Sequence, residues 1–217
     1  MTLLDKETMI ELLTQLGARL FQRDIEAEIY VVGGAAMTLA YNRSRATVDI
    51  DAVTERQEEV EEEARRMAAA RRDLPSDWFN GRVKPLLPQV LDRQQLEVLD
   101  VPGLSVAVAS PQHMIAMKVR AARSDQDLRD LWILCQQIDA QSVDQVLGIA
   151  ERVWGSDLIR QESRLLVRTF LIAKGLPELG ADAGTQADGP DWRCPGVTSR
   201  GTQCARTVAR GTTCWQH

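Results

Sequence analysis

No apolar run in this chain approaches the roughly 20 residues that a helix needs to span a bilayer. The opening residues, MTLLDKETMI, have neither the basic segment nor the apolar one of a secretory leader. These absences predict a cytoplasmic protein without membrane contact. Positive charge is not in excess either: 26 Lys and Arg stand against 31 Asp and Glu, a formal charge of −5. That excludes a broadly basic nucleic-acid binder and leaves room only for a local basic patch. Histidine and cysteine are scarce, two and four, and one histidine and three cysteines fall at the far C-terminal end. What is present, 217 residues of which 44% are hydrophobic and 26% charged, suits a soluble globular protein with one good core and an appendage.

The chain is organised around residues 29–53, IYVVGGAAMTLAYNRSRATVDIDAV. Ile29-Tyr30-Val31-Val32 has strand length and composition and stops at Gly33-Gly34. A helix-like segment, Ala35 to Tyr41, follows, and the chain re-enters extended structure over 45–53. Alternation along that strand puts Arg45, Thr47, Asp49 and Asp51 on one face and Ala46, Val48, Ile50 and Ala52 on the other. The two carboxylates would then stand roughly 7 Å apart along the strand. Paired acids can hold Mg²⁺ together with substrate phosphates. Glycines at a helix start let backbone N–H groups come close to an anion.

With Gly33-Gly34-Ala35 followed by Arg45-x-Thr47-x-Asp49-Ile50-Asp51, residues 5–140 resemble the nucleotidyltransferase fold of the DNA polymerase β type, and within it the AbiEii-like branch and related bacterial proteins. The resemblance implies that Gly33 and Gly34 hold nucleotide phosphates, that Asp49 and Asp51 bind Mg²⁺, and that Arg45 and Thr47 support them. Ala35 stands where many relatives have Ser or Thr, which removes a side-chain phosphate contact. Many such enzymes carry a third acid on a strand, for which Glu97 and Asp100 are the candidates. Lys118, Asp127 and Asp130 resemble C-terminal motifs of the AbiEii-like branch that lie beside the active site.

Elsewhere, periodicity predicts a helix over 5–23, and Thr54-Glu55-Arg56-Gln57 has the pattern of a capping box opening a helix over 55–70. The run Glu58 to Glu63 followed by Arg65-Arg66 predicts a solvated face with an occasional ion pair. Residues 73–88 form a loop in which Trp78 and Phe79 serve as a buried anchor or, alternatively, as a platform for a base. Strands follow at 95–100 and 104–109. Ser110-Pro111 caps a helix to about Ala122, with His113 on the surface of its first turn. Lys118 sits in an apolar run, where a charge requires a partner or a phosphate. Helices over 126–137, 142–153 and 157–174 complete the domain, with Cys135 a buried thiol.

Residues 175–191 are a Gly/Ala/Asp/Pro linker. Beyond it, Cys194, Cys204, Cys214 and His217 are spaced C-x9-C-x9-C-x2-H, a Cys₃His set suited to structural Zn²⁺ in a reducing compartment. Arg193, Arg200, Arg206 and Arg210 with Trp192 and Trp215 could dock nucleic acid or protein, or the unit could be a stabilising cap.

The expectation is an α+β nucleotidyltransferase-fold domain over 1–174 with a helical extension, a linker, and a zinc module over 192–217. The resemblance implies Mg²⁺-dependent transfer of NMP from an NTP to an acceptor hydroxyl, on an RNA such as tRNA or on a protein, in a toxin or defence role with a cognate antitoxin. The alternative is a degenerate domain that binds a partner or acts as an antitoxin.

Overall fold

A computed structural model describes residues 3–42 and 44–178. The linker from 179 and the Cys₃His segment lie outside the described residues. Helix α1, Lys6–Phe21, begins where the Asp5 carboxylate accepts from the Thr8 N–H, and it buries Met9, Leu12, Leu13, Leu16 and Leu20. Gly17 lets it approach the sheet, since a Cβ there would lie 2.9 Å from a Val101 methyl group.

Strand β1 is Ala27–Val31, and a short helix α2, Gly33–Ala36, runs on into a π-helical turn over Met37–Tyr41. Strand β2 is Ile50–Val53, helix α3 Gln57–Ala69, and strand β3 the two residues Phe79–Asn80. Strands β4, Leu96–Val101, and β5, Leu104–Val108, form a hairpin. Four helices follow: α4 Pro111–Ala121, α5 Asp125–Gln137, α6 Val143–Trp154 and α7 Gln161–Ala173.

The five strands lie in the order β3-β2-β1-β5-β4. β1 is antiparallel to β2 and parallel to β5, and β3 runs parallel to β2. Alternation assigns the faces. Ile29, Val31, Ile50, Ala52, Leu104, Val106 and Val108 are buried with α1 and α3 in one core. Glu28, Tyr30, Asp51, Val53, Ser105 and Ala107 alternate with them onto the opposite face.

The segment between β3 and β4 travels from one edge of the sheet to the other. Asp92 pins it: its carboxylate accepts from the Tyr30 hydroxyl at 2.8 Å and the Ser110 N–H at 2.7 Å. These bonds hold the Asp92 carboxyl below the usual carboxylate range although burial alone would raise it. His113 therefore departs from its expected surface position. It is buried, with Nδ1 3.4 Å from Asp92 and Nε2 3.0 Å from the Val90 carbonyl, because the crossing segment packs over it.

Three further expectations change. The strand predicted over 45–53 forms only at 50–53; Thr47 instead makes an isolated bridge to Leu4, and Val48 is exposed. The charged face of α3 is not wholly solvated. Glu63 is buried and accepts from Arg19, Arg23 and Arg66 at 3.3, 3.0 and 3.2 Å, cations that α1, the turn after it and α3 itself bring together. The chain also stays docked past Gly175: Leu176 is buried and the Val143 N–H donates to the Pro177 carbonyl at 3.0 Å. Trp78 and Phe79 take the anchoring role, both buried, with the indole donating to the Ala64 carbonyl at 3.0 Å. Cys135 is a buried thiol whose pKa burial pushes up to about 12. No helix among the described residues is long and apolar enough to cross a membrane.

Candidate nucleotide-binding site

The site forms where β1 ends. Gly33 is left-handed, φ +65°, a conformation that disfavours any side chain with a Cβ. A Cβ on Gly33 would lie 3.4 Å from Asp51 Oδ2. On Gly34 it would lie 2.8 Å from Thr47 Oγ1 and 3.2 Å from Arg45 Nη2. The glycine pair therefore faces three of the expected site residues directly. The Val32 N–H, donating to the Asp51 carbonyl at 3.0 Å, sets the turn against β2.

Asp49 and Asp51 end one side of the site. Burial and the charge of Asp49 raise the Asp51 pKa, and Arg82 and Asn80 oppose that shift. β3 supplies a residue that sequence reasoning gave no role: Asn80, in register with Asp51, whose Nδ2 donates to Asp49 Oδ2 at 3.2 Å. Glu97 and Asp100, the candidates for a third acid, are not brought to Asp49 and Asp51. They lie on β4, at the sheet edge remote from β2, because β1 and β5 intervene.

The other side is an ion cluster. Arg45 Nη1 donates to both oxygens of Asp130, which is wholly buried. Lys118 Nζ lies 2.7 Å from Asp130 and 3.0 Å from Asp127, so the charge in the apolar run of α4 finds its partners on α5. Gln126 Nε2 donates to Asp130 at 2.8 Å. The Lys118 and Ser124 hydrogen bonds lower the Asp127 pKa against the opposing effect of burial. Arg45 Nε is buried without a hydrogen-bond partner among the described residues. Two cations and two carboxylates compensate within the cluster, which fixes Arg45 beside Gly34.

This donor set suits Mg²⁺ carried by a triphosphate. Two mutually repelling carboxylates lie near a glycine turn whose backbone Asp51, Thr47 and Arg45 approach, and Mg²⁺ takes one or two protein carboxylates plus phosphate oxygens. Among the described residues there is no group of three or more His, Cys, Asp or Glu that could hold a metal ion.

A family model described as a nucleotidyltransferase of unknown function (DUF6036) matches residues 7–170. The chain belongs to this family. The match spans α1, the glycine turn, both carboxylates and the Lys118–Asp130 cluster of this nucleotidyltransferase-family domain. No curated protein matches the chain. Among solved structures, it is similar to an antigenic nucleotidyltransferase-like protein from Paracoccidioides brasiliensis at 15% identity, covering 70% of this chain and 90% of that one, with a TM-score of 0.42. Family membership rests on the match over 7–170, not on that likeness.

Proposed function

We propose that this member of the family is a Mg²⁺-dependent nucleotidyltransferase that moves NMP from an NTP to an acceptor hydroxyl. The observation that carries the reading is the approach of Gly33 to Asp51 and of Gly34 to Thr47 and Arg45. Gly33 and Gly34 bring backbone to the triphosphate without a Cβ in the way. Arg45, steadied by Asp130, and Thr47 border the same space, and Lys118, itself paired with Asp127, helps hold Asp130 in place. Asp49 and Asp51 would hold Mg²⁺, which would supply counter-charge and a Lewis acid at the phosphate. The acceptor oxygen forms a bond to the α-phosphorus, the bond to the bridging oxygen breaks, pyrophosphate leaves, and the hydroxyl proton passes to solvent.

An RNA such as tRNA or a protein is the acceptor, in a toxin-like or defence role of the AbiEii-like kind with a cognate antitoxin. Incubation of the chain with each α-labelled NTP, Mg²⁺ and separate pools of RNA and protein tests this. Label should appear in one pool and vanish with Asp51→Asn; no transfer to either pool with any NTP overturns it. A second reading, a degenerate domain that binds nucleotide without turning it over, is favoured by Asn80, an amide, standing opposite Asp51 with its Nδ2 on Asp49.

The Cys194, Cys204, Cys214 and His217 set is proposed to hold one structural Zn²⁺. Metal analysis of protein purified under reducing conditions should find about one zinc per chain, and finding none would rule the set out.

A further inference from the structure

We propose that Asn80 and Arg82 form a phosphate-binding arm of this site, with Arg82 contacting the triphosphate and Asn80 acting as the positioning residue. This rests on the nucleotidyl-transfer reading above. Asn80 is buried and both ends of its amide are committed. Nδ2 donates to Asp49 at 3.2 Å, while Oδ1 accepts from the Arg82 backbone N–H and from Arg82 Nε, each at 3.1 Å. The amide does both because it carries a donor and an acceptor at its two ends. A carboxylate at this position would set an acceptor against the Asp49 oxygens, and an aliphatic side chain would release Arg82.

The turn that carries Arg82 is held from α3, where Glu61 accepts from the Gly81 N–H at 2.8 Å and from Gln57 Nε2 at 2.8 Å. Val83, next along, is buried. The base of the arm is therefore fixed, while its end is exposed and pairs with Asp77 at 2.6 Å. Both partners of that pair are more than 60% exposed, at 66% and 61%. An exposed pair of this kind contributes little to stability, so Arg82 can exchange Asp77 for phosphate at small cost. Its charge already acts on both Asp49 and Asp51. It is thus tied through Asn80 to Asp49 as a cation at the site, on the turn that follows β3.

The test uses the full chain and inorganic tripolyphosphate with Mg²⁺, a probe that omits base and sugar, measured by titration calorimetry. Arg82→Ala should weaken binding by roughly tenfold to a hundredfold, as loss of a charge-assisted contact does. Arg82→Lys should fall between wild type and Arg82→Ala, keeping the charge but losing the planar fork. Asp77→Ala, which breaks the same ion pair from its other end, should bind as tightly as wild type or more tightly. Equal losses in Asp77→Ala and Arg82→Ala would mean the pair matters only structurally and would overturn the proposal. Wild-type affinity in Arg82→Ala, with binding lost in Asp51→Asn, would overturn it and leave the transfer reading standing. No binding by the wild-type chain would overturn both.

Discussion

Arg45 and Asp130 are 85 positions apart in the chain, yet one guanidinium nitrogen of Arg45 donates to both oxygens of the wholly buried Asp130 carboxylate. The pair ties the segment after the glycine turn to α5, and through Lys118 to α4. The N-terminal sheet and the helical extension thus meet at the site itself.

Removing Asp130 should be strongly destabilising. Asp130→Ala leaves two cations facing each other in a space from which water is largely excluded, and breaking a buried pair costs about 3–5 kcal/mol. For a domain of this size that lowers Tm by on the order of 10 °C. Thermal unfolding of the variant checks this. A shift of only about a degree would mean that the cluster is far better hydrated than its burial implies.

The glycine pair should matter for binding more than for folding. Gly33→Ala places a Cβ on left-handed backbone at a cost of about 1 kcal/mol. Gly34→Val drives a side chain into Thr47 Oγ1, which lies 2.8 Å from the ideal Cβ position. Both variants should bind tripolyphosphate with Mg²⁺ at least about tenfold more weakly. Unchanged affinity in both would reduce the pair to a tight turn.

Asp51 should trade stability for function. Burial and the neighbouring Asp49 charge raise its pKa, so the folded state holds this proton more tightly than the unfolded chain does. The contribution is favourable below the unfolded carboxylate pKa and is lost as pH rises through the raised folded value. At neutral pH without metal, Asp51→Asn should therefore unfold at a higher temperature than wild type, while nucleotidyl transfer disappears. The gain should shrink on acidification, and Mg²⁺ should stabilise the wild type more than the variant. Melting curves at pH 7 and pH 4, with chelator and with Mg²⁺, read each of these outcomes.

Glu63 carries the opposite sign. Burial alone would raise its pKa, but hydrogen bonds from Arg19, Arg23 and Arg66 together lower it. Its stabilisation is present above the unfolded glutamate pKa and is lost as pH falls through the lowered folded value. Glu63→Gln should destabilise the chain at pH 7 and have a smaller effect at pH 3. A constant difference between the two melting curves across that range would show that the carboxylate does not titrate as part of the cluster.

Where the controlling interactions are local, the residues alone foretold the structure. Ser110 caps α4 by accepting from the His113 N–H, with Pro111 at the first helical position, as the dipeptide requires. The Thr54 N–H donates to the Gln57 side chain, one half of the expected capping box, although α3 starts only at Gln57. Three of the four later helices fall within a residue or so of their expected starts, and α7 begins at Gln161 because a 3₁₀ turn over Ser156–Leu158 precedes it. The face of a strand was less secure. Asp51 stands on β2 against Gly33, but Arg45, Thr47 and Asp49 all precede that strand and arrive from irregular backbone rather than by strand alternation.

Asn80 marks the limit of what patterning can reach. It belongs to a strand of two residues, too short for any period to register, and its meaning comes from pairing with Asp51, 29 positions earlier. The amino-acid sequence determined the glycine turn, the acid pair and the helix starts, because each depends on neighbours within a turn or a strand. Tertiary structure alone decided which residue faces Asp51, where Arg45 finds its carboxylate, and why Glu97 and Asp100 stand aside. Those outcomes depend on strand order and helix packing, which join residues that no local periodicity connects.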